Sequence, residues 1–154
     1  MMPLAVTTLL WIGMLVGVSF LATPVKFLAP SLSLPVALDV GRQTFFWFSR
    51  VEIVLAFAAL AGAVAARTQR RTRTGGPARG EAVAVLLTVL LLGSVAAQVL
   101  WLLPVLDARV EVILGGGTPP ASSLHTLYVG IELAKLAALI GVAWLALSGM
   151  RRHV

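Results

Sequence analysis

Four apolar runs, each about twenty residues long, leave this chain very few ways to fold. They lie at 4–22, 44–66, 82–103 and 124–147. About 20 residues at ~1.5 Å per residue match the ~30 Å hydrocarbon core of a bilayer. In lipid every backbone N–H and C=O must be paired within the protein, which admits only helices and closed barrels, and barrel strands need only ~9–11 residues. The runs therefore predict an all-α polytopic membrane protein, a four-transmembrane-helix bundle forming one membrane domain over 1–154. Composition agrees, since 12% charged side chains falls far below the ~25% of soluble domains. Soluble enzymes, disordered tails and nucleic-acid partners are excluded together. The first run follows Met1-Met2-Pro3, which lacks the basic segment of a signal peptide, so it is expected to persist as the first helix.

The net charge of +6 reflects basic residues clustered beside the spans. The segment 67–81 holds Arg67, Arg70, Arg71, Arg73 and Arg79 against Glu81, and the C-terminus adds Arg151 and Arg152. The positive-inside rule places both in the cytoplasm, giving a multi-pass, N-in and C-in protein. The bias toward Ala, Leu, Val and Arg points to a bacterial inner membrane. Beyond the bilayer itself, the basic loop fits anionic lipid headgroups. The segments Thr23–Gln43 and Pro104–Ser123 then face outward. They carry Lys26, Asp39, Arg42, Asp107, Arg109 and Glu111, with Pro24, Pro30, Pro35, Pro119, Pro120 and Gly115-Gly116-Gly117 making them turn-rich.

Sliding the chain against itself by 80 positions places Pro24-Val25 on Pro104-Val105, Phe48 on Tyr128, and Val51-Glu52-Ile53 on Ile131-Glu132-Leu133. Two prolines and two intramembrane glutamates sharing one offset predict a repeat of two helical hairpins. Each unit has two spans, so the repeat is parallel, about an axis along the membrane normal. That symmetry brings Glu52 and Glu132 to one depth. Each stands eight residues into its apolar run, roughly 12 Å below the outer edge of the hydrocarbon. An ionised carboxylate there costs at least ~2.5 kcal/mol, so each must face the interior, pair or hold a proton.

At 100° per residue, His125, Tyr128, Glu132 and Lys135 fall within an arc of ~80° on the fourth helix. Ser94, Gln98 and Trp101 share an arc of ~60° on the third, and Arg50 lies ~160° from Glu52. The candidate ligand or ion-binding residues are Glu52, Glu132, Lys135, His125, Tyr128, Gln98 and Arg109. Glu132 and Lys135, at i and i+3, have a local reading as a neutralising pair. On that reading Glu132→Gln leaves an unpaired ammonium. Glu52 has Leu55 at its own i+3 position and needs a partner from elsewhere, with Arg109, Lys26 and Lys135 as choices. Phe45-Phe46-Trp47-Phe48 reads as an interfacial aromatic belt. Trp11, Trp101 and Trp144 carry no specific signal.

Enzyme motifs are missing: the sequence has no cysteine, no G-x-S-x-G, no H-E-x-x-H and no paired intramembrane histidines. No cofactor or metal is specified, and a single-histidine haem or a two-carboxylate metal site remains an alternative. The stretch from Gly17 through Thr23-Pro24-Val25-Lys26 to Phe27, the segment Gly41-Arg42 to Glu52, the turn Leu103-Pro104-Val105 to Arg109, and His125 followed by Glu132 and Lys135 together resemble small bacterial four-helix membrane proteins of unknown function. These are distantly similar to the eukaryotic transmembrane family associated with cisplatin resistance. The resemblance implies four helices with outward polar loops and carries over no catalytic or binding residue; Lys135 departs from the apolar to small-polar fourth helix that it leads one to expect.

The leading expectation is a non-enzymatic membrane protein whose outer-half polar cavity binds or conducts a cation, proton or small polar ligand. A docking role, as an accessory subunit or assembly factor of a larger membrane complex or as a homo-oligomer, needs instead an exposed small-residue face such as Ala56, Ala59 and Ala63. A haem or quinone enzyme is the third reading. Topology is directly testable: reporters fused at Gly76 and after Val154 should be cytoplasmic and one at Gly116 extracytoplasmic, and a Gly76 reporter outside would overturn the arrangement.

Overall fold

A computed structural model describes residues 1–75 and 79–151. The expectations placed on Gly76, Arg152 and Val154 lie outside the described residues. Four helices carry the fold: α1 (Met2–Lys26), α2 (Leu34–Thr74), α3 (Arg79–Leu114) and α4 (Leu124–Arg151). Each is long and apolar enough to cross a membrane. They pack as a ring in which sequence neighbours are spatial neighbours and α4 closes onto α1. A two-fold axis through such a ring would exchange α1 with α3 and α2 with α4, the pairing that an 80-residue offset requires.

The helices outrun the apolar runs. α2 spans 41 residues, or roughly 60 Å at ~1.5 Å per residue, twice the ~30 Å hydrocarbon core. At its start Pro35 occupies the first turn, where a missing N–H costs nothing because that donor has no intrahelical partner. At its end Arg67, Arg70, Arg71 and Arg73 remain helical, and Gly75 closes the helix at φ +62 with its N–H donating to the Arg71 carbonyl at 3.1 Å. The expected long loops consequently shrink to 27–33 and 115–123. Lys26, Asp39, Arg42, Asp107, Arg109 and Glu111 all sit on helices. Helix-compatible prolines are the cause, because Pro24 and Pro104 also occupy first-turn positions of new helical segments.

Those two prolines mark a second departure from regularity. In α1 the segment Val16–Ala22 is π-helical, and in α3 Gln98–Leu102 is π-helical. A proline removes one N–H and pushes away the carbonyl four residues before it. A π turn before each proline widens the helix where that regular bond is lost.

Below this level the interior is apolar. Leu4, Trp11 and Leu15 of α1 meet Ala56, Ala59 and Ala63 of α2, with Ala84, Leu91 and Val95 of α3 and Leu139, Val142 and Ala146 of α4 filling the remainder. The three alanines are fully buried, so the small-residue stripe is internal. At Gly62 the backbones approach so closely that a Cβ would lie 3.4 Å from the Leu4 Cα. The buried threonines Thr8 and Thr88 satisfy their hydroxyls on the carbonyls of Leu4 and Ala84, as expected for polar side chains inside a dry helix bundle. Leucine at Ala59 should cost about 1–3 kcal/mol by overpacking, whereas leucine at the exposed Val54 should be silent. Equal loss of thermal stability in detergent would place the alanine stripe elsewhere.

Candidate functional site

Near the middle of the bundle one ammonium lies between two carboxylates. Lys135 Nζ on α4 is 2.7 Å from Glu52 Oε1 on α2 and 2.6 Å from Glu132 Oε1 one turn earlier on its own helix. The lysine side chain is 0% exposed, and the two glutamates are 3% and 1% exposed. Both earlier partner assignments for Lys135 therefore hold at once: the i, i+3 pair forms, and the same nitrogen neutralises Glu52. A single lysine cannot balance both glutamates. With all three groups ionised the cluster carries one net negative charge.

The remaining helices supply donors. Trp11 Nε1 on α1 donates to Glu52 Oε1 at 2.9 Å. Ser19 Oγ, inside the π segment of α1, donates to Glu132 Oε2 at 2.9 Å. Gln98 Nε2, the first residue of the π segment of α3, donates to Glu132 Oε1 at 2.8 Å. The Tyr128 phenol lies beside Glu132 and Ser19. Both π segments thus deliver a donor to the same carboxylate, in keeping with the tendency of π turns to mark functional positions. One polar atom of the network lacks a partner: Gln98 Oε1 is buried and accepts nothing. An orphaned acceptor beside a carboxylate costs ~1–3 kcal/mol.

Above the cluster, toward the short loops, a cavity of about 250 Å³ opens among all four helices. Tyr128 lines it and stacks edge-on against Phe45, with ring centroids 5.1 Å apart. Tyr128 therefore divides the buried cluster from the cavity and touches both. The expected polar cavity resolves into two neighbouring parts: a solvent-excluded ionic network that is already filled, and a largely apolar void with basic residues in its wall.

Of the seven sequence candidates, Glu52, Glu132, Lys135, Tyr128 and Gln98 come together. His125 and Arg109 do not join them. Both line the cavity, and Arg109 donates to the Pro120 carbonyl at 2.6 Å, tying the 115–123 loop to α3. Ser94 turns back onto the Leu90 carbonyl and Trp101 is exposed. Arg50 faces away from Glu52, as its phase requires, and stacks on Phe46 with its guanidinium carbon 3.4 Å from the ring centroid. The aromatic run divides by helical phase: Phe48 is buried in the core and Phe45 packs on Tyr128, while Phe46 and Trp47 are exposed.

Sequence reading missed Trp11 and Ser19. For Trp11 a signal existed, because Leu4, Trp11 and Leu15 repeat at i, i+7 and i+11 and so share an interior face on which an indole N–H must find an acceptor. Ser19 carries the same signal, since it stands four residues after Leu15 and within an arc of about 80° that holds Leu4, Trp11 and Leu15. Comparison with family models, curated proteins and solved structures gives no match.

The shared lysine reverses one expectation. Glu132→Gln leaves Lys135 paired with Glu52, a neutral pair, rather than an orphaned ammonium. We expect that variant to lose no more than about 1–2 kcal/mol, whereas Lys135→Met, which leaves two buried carboxylates face to face, should lose about 3–5 kcal/mol. Unfolding in detergent measures both. Equal destabilisation would mean that Lys135 serves Glu132 alone.

Proposed function

We propose that this protein is a non-enzymatic, N-in and C-in protein of the bacterial inner membrane that takes up a proton or small cation at the Glu52–Lys135–Glu132 cluster, in the service of transport. One observation carries this reading: two carboxylates and one ammonium share a solvent-excluded site, and their formal charge falls one positive charge short of neutrality. In a medium of low dielectric, an uncompensated buried charge is expensive enough that the site recruits its missing positive charge. The proton is favoured over a metal ion. Contacts of 2.6 and 2.8 Å already occupy the space around Glu132 Oε1, whereas a proton needs only a carboxylate oxygen.

Direction follows from the layout. The apolar interior on the side of the arginines contains no further acidic or basic group among the described residues until Glu81 and Arg70, which pair with each other at 2.6 Å. On the other side Tyr128 connects Glu132 to the cavity. Exchange through the cavity, which the proposed topology places outside, is the short route.

The paired π turns before Pro24 and Pro104 support the two-hairpin repeat as the origin of the matched carboxylates. The accessory-subunit reading is less well supported, because its alanine face is turned inward. The haem or quinone reading finds no histidine in the cluster. Infrared difference spectra of purified protein across neutral pH provide the test. We expect a carboxylic-acid C=O band, shifted in D2O and removed by Glu52→Gln or Glu132→Gln. A spectrum without that band, in a protein that also binds neither sodium nor potassium, would refute the proposal.

A further inference from the structure

The cavity beyond Tyr128 has a chemistry of its own, independent of the buried cluster. Its wall holds three cations, Lys26, Arg42 and Arg109, against one carboxylate, Asp107, with His125 at the edge. Two of the cations are already engaged: Arg42 pairs with Asp39 at 2.9 Å and with Glu111, and Arg109 holds Pro120. Lys26 is not. Its ammonium meets no carboxylate among the described residues and rests instead against two aromatic faces, 5.1 Å from the Phe27 ring centroid and 6.0 Å from that of Phe45.

A cation–π contact contributes ~0.5–2 kcal/mol, less than a charge-assisted bond to an anion in a low-dielectric wall. A second donor waits nearby, since Arg42 Nε is buried without an acceptor. The rest of the lining is apolar, with Leu38, Leu103, Leu106 and Ile113 among its residues. This is the usual composition of a small-molecule site, in which a few polar groups orient a ligand within an apolar enclosure. The volume of about 250 Å³ lies just below the ~300 Å³ at which pockets for drug-sized ligands begin, a size that suits a small ligand.

We propose that this cavity is a binding site for a small organic monocarboxylate with a compact apolar body, its carboxylate held by Lys26 and the body lodged between Phe27, Phe45 and Leu106. One free ammonium matches one negative charge. The donor on Arg42 completes the coordination of the second carboxylate oxygen. The aromatic rings already flanking Lys26 accommodate a flat or short aliphatic body.

Benzoate is a suitable probe because benzyl alcohol offers the same body without the charge. Calorimetric titration of the full-length protein in detergent should show saturable one-to-one binding of benzoate. Affinity for benzyl alcohol, and for benzoate in Lys26→Met, should fall roughly tenfold or more, the scale set by ~1.4 kcal/mol. Lys26→Arg should retain binding, and Leu106→Trp, which fills the void, should abolish it with no change in thermal stability. Three results would each overturn the site: no saturable binding of benzoate, equal binding of benzoate and benzyl alcohol, or benzoate binding unaffected by both Lys26→Met and Leu106→Trp. Should Lys26→Met fail to fold, the ratio of benzoate to benzyl alcohol affinity in the unaltered protein decides. The infrared band of the carboxyl cluster is read separately, so either proposal can fail without the other.

Discussion

A lysine held between two glutamates at the centre of an otherwise apolar bundle sets the conditions that the rest of the structure meets. Moving three ionisable groups out of water costs several kcal/mol each, and their mutual attraction offsets this only when geometry is close and the remaining lone pairs are satisfied. Here each of the four helices contributes to that satisfaction: Trp11 and Ser19 from α1, Glu52 from α2, Gln98 from α3, and Tyr128, Glu132 and Lys135 from α4. The three charges stand on α2 and α4, and their remaining lone pairs are met only by donors from α1 and α3. The ionic site therefore fixes the relative height and rotation of all four, a specification that Ala, Val and Leu packing leaves loose. In lipid this matters more than in water, because helix association has no hydrophobic driving force of its own.

Much of this was legible in the chain. The number of spans followed from apolar length, and the facing of Glu52 and Glu132 followed from the cost of exposing a carboxylate to lipid. Gln98 and Tyr128 were placed by helical phase. The helices run past the apolar stretches because Pro24, Pro35 and Pro104, residues that also favour turns, each fit a first helical turn. The identity of Glu52's partner could not be read, since Arg109, Lys26 and Lys135 were equivalent until α2 and α4 were known to face each other across the bundle. Trp11 and Ser19 lie on one face of α1 with Leu4 and Leu15, and a donor on that face acquires meaning only once the face is known to meet a buried carboxylate.

The bundle is uneven along its length. On the arginine side, small residues allow backbone contact, as Gly62 shows against Leu4, and interior polar groups satisfy themselves locally. On the other side the helices part around a cavity whose lining includes Arg42, its Nε buried without an acceptor, and the Lys26 ammonium. A tight half and an open half are what a site approached from one face of a membrane requires. The division falls at Tyr128.

The π segments give this arrangement a dependence on residue number. Each residue of a regular helix turns the chain by about 100°, so a π segment of α1 fixes the angular relation between the Trp11 face below it and the Thr23–Lys26 turn above it. Removing or adding one residue within Val16–Ala22 would leave hydropathy and span length essentially unchanged. It would nevertheless swing Lys26 about a quarter-turn around the helix and out of the cavity wall, while Trp11 kept its place on Glu52. The distance in sequence between those two residues is thus a mechanical dimension of the protein, set by count and insensitive to the identity of the lipid-facing side chains between them.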